Sequence, residues 1–205
     1  RLFWLGRYLE RVYTTLKATR GMFDAETDGA EADYKDYCRR MGIACRYENT
    51  AAFIRSYYFD AENADSVAAS LAHAYDNAIV LRETLSSDTL AYVQMAVTAM
   101  ELAAKSSGPA VELQWVLDDI MAFRGSCEEN IEEEINRNII KSGASLERVD
   151  IFLRLGYPQE QCLKEVRHLA SRLKKAQLAV NENNMQFLLN SLAGSPETLP
   201  PAPVL

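Results

Sequence analysis

Leu9-Glu10-Arg11-Val12 and Leu146-Glu147-Arg148-Val149 repeat one tetrapeptide, and each copy has a glycine four residues ahead of its glutamate, Gly6 and Gly143. A positioned carboxylate can act as a general acid or base, and an arginine fork binds a carboxylate or phosphate. Glu10 and Glu147 could therefore converge on one pseudo-symmetric cleft and do acid/base chemistry there. Arg11, Arg82 or Arg148 would hold the anionic part of a substrate. The same residues admit a structural reading. A buried carboxylate is costly without a partner, so each glutamate would pair with an arginine or cap a neighbouring helix inside a tight bundle. The residues alone leave both readings open.

The repeat is wider than the tetrapeptide. With Phe3–Ala18 set against Ile140–Leu155, six of sixteen positions are identical. On a helical wheel Leu5, Leu9, Val12 and Leu16 form the core stripe, and Glu10 lies roughly 130° from it, with Arg11 about as far on the other side. Glu10 shares its face with Phe3, Gly6 and Tyr13, unusually apolar company for an outward carboxylate. Glu147 shares its face with Ile140, Gly143, Asp150 and Arg154. A glycine inside a helix costs up to about 1 kcal/mol relative to alanine and is tolerated where another backbone comes close. Gly6 and Gly143 thus predict helices buried on two sides, with each glutamate one turn beyond a close helix contact.

Other constellations carry less chemistry. Glu165 and His168 make an E-x-x-H pair, but a di-iron bundle needs two such motifs and two further glutamates, and the other histidine, His73, has Ser70 three residues ahead of it. No metal and no cofactor is expected. Cys38, Cys45, Cys127 and Cys162 form no C-x-x-C pair and read as reduced thiols. No glycine-rich nucleotide loop is present. The acidic run Glu128–Glu134 reads as a solvated helix start, where the helix dipole favours negative charge.

The elements that must position these residues are helices nearly throughout. No convincing alternating strand occurs. The patterning predicts a first helix from Arg1 to Phe23, an acidic connector from Asp24 to Glu31, and helices near Ala32–Met41 and Tyr47–Tyr58. A helix capped at Asp65 or Ser66 continues through Leu85. Ser86–Asp88 caps a helix ending at Lys105, and Ser106-Ser107-Gly108-Pro109 is the clearest break. The next helix reaches Phe123 and is interrupted at Gly125. A long one spans Glu128 to Leu155 and ends at Gly156-Tyr157-Pro158. The last helices cover Gln159–Glu182 and Met185–Leu192. The expectation is an all-α, single multi-helix bundle of about eight helices over residues 1–193. Residues 194–205 form a proline-rich tail read as extended or disordered.

Net charge is −7 with 48% hydrophobic and 25% charged residues, values of a globular chain with no basic stripe for nucleic acid and no apolar run long enough for a membrane. The N-terminus lacks the long apolar core of a signal peptide. These features point to a cytoplasmic protein and leave an oligomer open.

Three ordered blocks resemble the alpha-E domain family, all-helical bacterial proteins of unknown function. LFWLGRYLERV is similar to its N-terminal signature. In Phe59–Asp88 the residues Phe59, Asp60, Asn63, Ser66, Asn77, Ala78, Arg82, Glu83 and Ser86 sit where the family's second block has its motif. Phe123, Gly125, Gly143, Glu147, Arg148 and Asp150 match the third. The family often has arginine after the second glycine, where this chain has Ala144, and Ala-Glu where this chain has Val12-Tyr13. The resemblance implies a partner role beside ATP-grasp-type peptide ligases or transglutaminase-like peptidases, in peptide or amide-bond synthesis or modification. Two functions follow as expectations. One is a non-catalytic partner or substrate-presenting module. The other is an enzyme using Glu10, Glu147 and Glu83 as acid/base groups, with Arg11, Arg148, Arg82 and Asn77 binding an amide or carboxylate substrate.

Overall fold

A computed structural model describes residues 1–194 and is helical throughout, with ten helices and no strand among the described residues. The proline-rich tail, from Ser195 onward, lies outside the described residues. The first helices are α1 (Leu2–Ala18), α2 (Arg20–Thr27), α3 (Tyr34–Met41), α4 (Thr50–Phe59) and α5 (Val67–Val80). They are followed by α6 (Ser87–Lys105), α7 (Ala110–Asn130), α8 (Glu134–Leu155), α9 (Gln159–Lys175) and α10 (Glu182–Ala193). No helix among the described residues is long and apolar enough to cross a membrane.

Short polar side chains start several helices by accepting a free amide hydrogen: Asp33, Asn49, Ser66, Ser86 and Asn181 accept from the residue three positions on. Gly42 and Gly156 end α3 and α8 in the left-handed conformation, at φ 73° and 71°. The core stripe Leu5, Leu9, Val12 and Leu16 is buried as the periodicity requires. It packs among Phe53, Tyr57, Leu71, Val116 and Ile120. α1 lies against α8 on one side and α5 on another, while α6 pairs with α7 and α9 covers α8. A smaller apolar cluster, Val149, Cys162, Val166 and Leu192, ties α10 onto the α8–α9 pair.

Several expected boundaries move. The first helix breaks at Thr19, a fully buried residue whose hydroxyl donates to the Thr15 carbonyl and shares a 2.7 Å hydrogen bond with Tyr58. That competition with the backbone turns the chain toward α4. The supposed connector from Asp24 is helical as far as Thr27. α5 stops at Val80, and residues 81–84 turn so that Leu85 enters the core before the Ser86 cap. α7 runs straight through Gly125, and the real break falls at residues 131–133. The acidic run is accordingly not a helix start. Glu128 and Glu129 close α7, buried Ile131 anchors the link, and Glu134 opens α8. Arg137 reaches back to the carbonyls of Ile131 and Glu132, and Lys141 pairs with Glu128 at 2.5 Å, offsetting negative charge at the unfavourable end of α7. The expected helix from Gln159 to Glu182 stops at Lys175, and α10 begins at Glu182 rather than Met185.

Candidate functional site

The two glycines bring α1 and α8 into backbone contact. A Cβ on Gly6 would overlap the Ile140 carbonyl oxygen and stand 2.9 Å from that carbonyl carbon and 3.2 Å from the amide nitrogen of Ala144. A Cβ on Gly143 would overlap the Phe3 carbonyl oxygen, again 2.9 Å from the carbonyl carbon and 3.2 Å from the nitrogen of Arg7. Phe3 aligns with Ile140 and Arg7 with Ala144, so each contact is the image of the other. The repeat is a two-fold related helix pair, and no side chain larger than hydrogen fits at its crossing.

One turn beyond, each glutamate reaches the other copy's arginine. Arg148 clamps Glu10 with two bonds of 2.8 Å, Nε to Oε1 and Nη2 to Oε2. Arg11 donates from Nε to Glu147 Oε1 at 2.6 Å. The exchange is reciprocal, and both glutamates are 1% exposed. Each also takes a second cation. On Glu147 it is Arg7, 2.7 Å from Oε2, whose guanidinium lies 4.8 Å over the Trp4 ring. The image of Arg7 is Ala144, which has nothing to give. Arg124 of α7 takes that place, 2.6 Å from Glu10 Oε2 and 4.2 Å over the Tyr13 ring, with Thr14 donating to Oε1 at 2.7 Å.

Burial pushes the Glu10 carboxyl up, but the Arg148 hydrogen bonds and the charges of Arg124 and Arg148 outweigh it. Its pKa lies below the ordinary 4.5. Burial pulls Arg148 and Arg11 down, and their glutamates more than compensate, so both hold their protons harder than usual. Arg124 goes the other way: burial, with repulsion from Arg148, outweighs the attraction of Glu10.

The two ends of the lattice differ in access. A cavity of about 370 Å³ opens beside Glu10, between α1, α7, α8 and α9. Glu10, Arg124, Arg148, Arg172 and Ala144 line it. Glu147 does not, nor do Arg11 and Arg7. Glu10 and Glu147 do not converge on this cavity: it takes in Glu10 alone, and each glutamate meets the other copy's arginine. The remaining candidates stand apart. Arg82 and Glu83 sit in the turn after α5, 69% and 90% exposed, paired with each other at 3.3 Å. Asn77 accepts a 3.4 Å bond from Arg1. None of the three lines the cavity or bonds to Glu10 or Glu147. Glu165, of the E-x-x-H pair, joins the lattice through Arg148 at 3.2 Å, with His168 3.6 Å from its other oxygen. Arg124, Arg172, Arg7 and Thr14 escaped the sequence reading of the site. The only signal for Arg124 was its position between Phe123 and Gly125, and for Arg7 its place directly after Gly6.

A family model described as a predicted alpha-helical domain with a conserved ER motif, Alpha-E, matches residues 1–196. The chain belongs to the Alpha-E family. The Glu-Arg pair in the family's description occurs twice here, at Glu10-Arg11 and Glu147-Arg148, and each pair is completed by the other copy. No curated protein and no solved structure matches this Alpha-E chain.

Proposed function

We propose that this Alpha-E chain is a non-catalytic helical module, a partner or substrate-presenting subunit of a bacterial, cytoplasmic peptide ligation or modification system. Its partner is then an ATP-grasp-type ligase or a transglutaminase-like peptidase, a choice that rests on the family resemblance. One observation carries the non-catalytic half. Both oxygens of Glu10 are filled by three arginine donors and a threonine hydroxyl. A carboxylate so held, with its pKa below the ordinary value, is a weak base at neutral pH and has no proton to donate. Both oxygens of Glu147 also accept hydrogen bonds, one from Arg7 and one from Arg11. The alternative, acid/base catalysis by these carboxylates with Glu83, would need Glu83 beside them, and among the described residues Glu83 pairs with Arg82 at the surface.

The test is co-purification of the chain with the ligase or peptidase, followed by turnover of the complex. The expected result is a stable complex whose kcat is unchanged by Glu147→Gln or Glu10→Gln at temperatures where the variants stay folded. Loss of turnover in a complex that still forms and still melts cooperatively would overturn the non-catalytic reading.

A further inference from the structure

The cavity beside Glu10 is lined by five cationic side chains, Arg124, Arg137, Lys141, Arg148 and Arg172, against two carboxylates, Glu10 and Glu128. Glu128 is taken by Lys141, and Glu10 by Arg124 and Arg148. Glu165, outside the lining, answers one more positive charge through Arg148. Arg137, which donates to the Ile131 and Glu132 carbonyls, and Arg172 have no ion pair among the described residues.

Arg172 is the clearest of them. Its one hydrogen bond among the described residues goes to the neutral hydroxyl of Ser145, and it has no ion pair there. Burial, and then repulsion from Arg148, outweighs the attraction of Glu165 and Glu10 and pulls its pKa below the usual arginine value. A fold gains nothing from holding a half-buried guanidinium against two others unless something answers it.

Two further features keep the space open. Ala144 stands where the other copy carries Arg7, and a side chain of that length there would enter the cavity. Gly125 interrupts nothing: α7 continues through it, and a Cβ there would meet no atom within 4 Å. An interior glycine without a close neighbour costs up to about 1 kcal/mol in helix propensity for no packing return. The rest of the wall, Leu9, Phe123, Ile140 and Met121 among it, is apolar. A volume of about 370 Å³ is at the small end of ligand sites.

We propose that this cleft binds a small organic dianion: a phosphate monoester or a dicarboxylate, its oxyanion received by Arg172 with Arg124 and Arg148 beside it, on an apolar body lying against Leu9, Phe123 and Ile140. Planar guanidinium forks match both oxyanions, so the shared chemistry is the oxyanion and the apolar portion. Glu10 positions two of the forks and keeps them from collapsing onto each other. The site stands independently of the partner role above, since it requires no second protein.

The test is titration calorimetry on the full chain with phenyl phosphate, phenylsuccinate, inorganic phosphate and uncharged benzyl alcohol. The expected result is saturable binding of phenyl phosphate or phenylsuccinate, whichever it is naming the oxyanion. That affinity falls as salt rises and is at least ten-fold above that of inorganic phosphate. Benzyl alcohol does not bind. Arg172→Gln weakens binding at least ten-fold while its melting temperature stays equal or rises, an outcome a merely structural arginine would not give. Ala144→Leu, which fills the cleft without touching a charge, weakens it as well. The proposal is overturned if neither organic dianion binds the folded wild-type chain. It is overturned equally if both variants bind as wild type does, or if inorganic phosphate binds as tightly as phenyl phosphate.

Discussion

Glu10 is the residue on which the lattice turns. It is a buried carboxylate that four donors keep ionised. Its folded pKa is below the ordinary 4.5, so its stabilisation is fully present above that value and is lost as pH falls through the folded value. Glu10→Gln should cost roughly 3 kcal/mol at pH 7, because it leaves Arg124 and Arg148 without their anion. The gap between variant and wild type should narrow steadily below pH 4.5. Urea unfolding at a series of pH values measures it, and a gap that stays constant down to pH 3 would contradict the assignment. Glu10 itself was legible in the sequence, since a glutamate sharing a helix face with Phe3, Gly6 and Tyr13 announces burial. Arg124 was not legible, because a lone arginine 114 residues away shows no period that points to Glu10. Arg82 and Glu83 matched a family block at the right spacing, yet spacing along the chain does not carry a turn to the other side of a bundle.

At the scale of elements, the crossing of α1 and α8 is set by two glycines that no larger residue can replace. Gly6→Ala or Gly143→Ala should each cost about 1–3 kcal/mol or more, because the new methyl meets backbone rather than a side chain that could move. Gly125→Ala, in the same family motif, should instead stabilise by up to about 1 kcal/mol. Thermal unfolding of the three variants tests the contrast, and equal effects at all three positions would contradict it. The glycine pair was readable because an interior glycine with an adjacent apolar face has few other uses. Gly125 was read differently, as a helix interruption, and that reading failed because α7 continues through it over open space. Caps near Asp65 or Ser66 and within Ser86–Asp88 were readable from short side-chain oxygens, and they fall at Ser66 and Ser86. The end of α1 at Thr19 was not, because its cause is a hydrogen bond to Tyr58, 39 residues on. The acidic run misled for a related reason: Arg137 and Lys141, from the next helix, make an acidic helix end tolerable.

Over the whole molecule, the reciprocal pairs join segments 137 residues apart and so bind the first helix to the eighth. The all-helical bundle followed from periodicity alone, because the core stripes are local. The repeat itself was legible, but its two-fold packing was not, because each glycine predicts a close helix without saying which one. Ala144 marked the second copy as degenerate, but what that asymmetry does to the site could not follow. Ala144 in place of an arginine leaves one end of the lattice lined by a cavity and hands Glu10 to Arg124. The central claim is that each Glu-Arg motif is half of an interlocked structural pair rather than a catalytic dyad. A double-mutant cycle on Glu10 and Arg148, by urea unfolding at neutral pH, tests it most directly. The account predicts that Glu10→Gln and Arg148→Gln are each destabilising and that the pair is coupled by about 1 kcal/mol or more. Additive effects within about 0.3 kcal/mol, or single variants as stable as wild type, would contradict it.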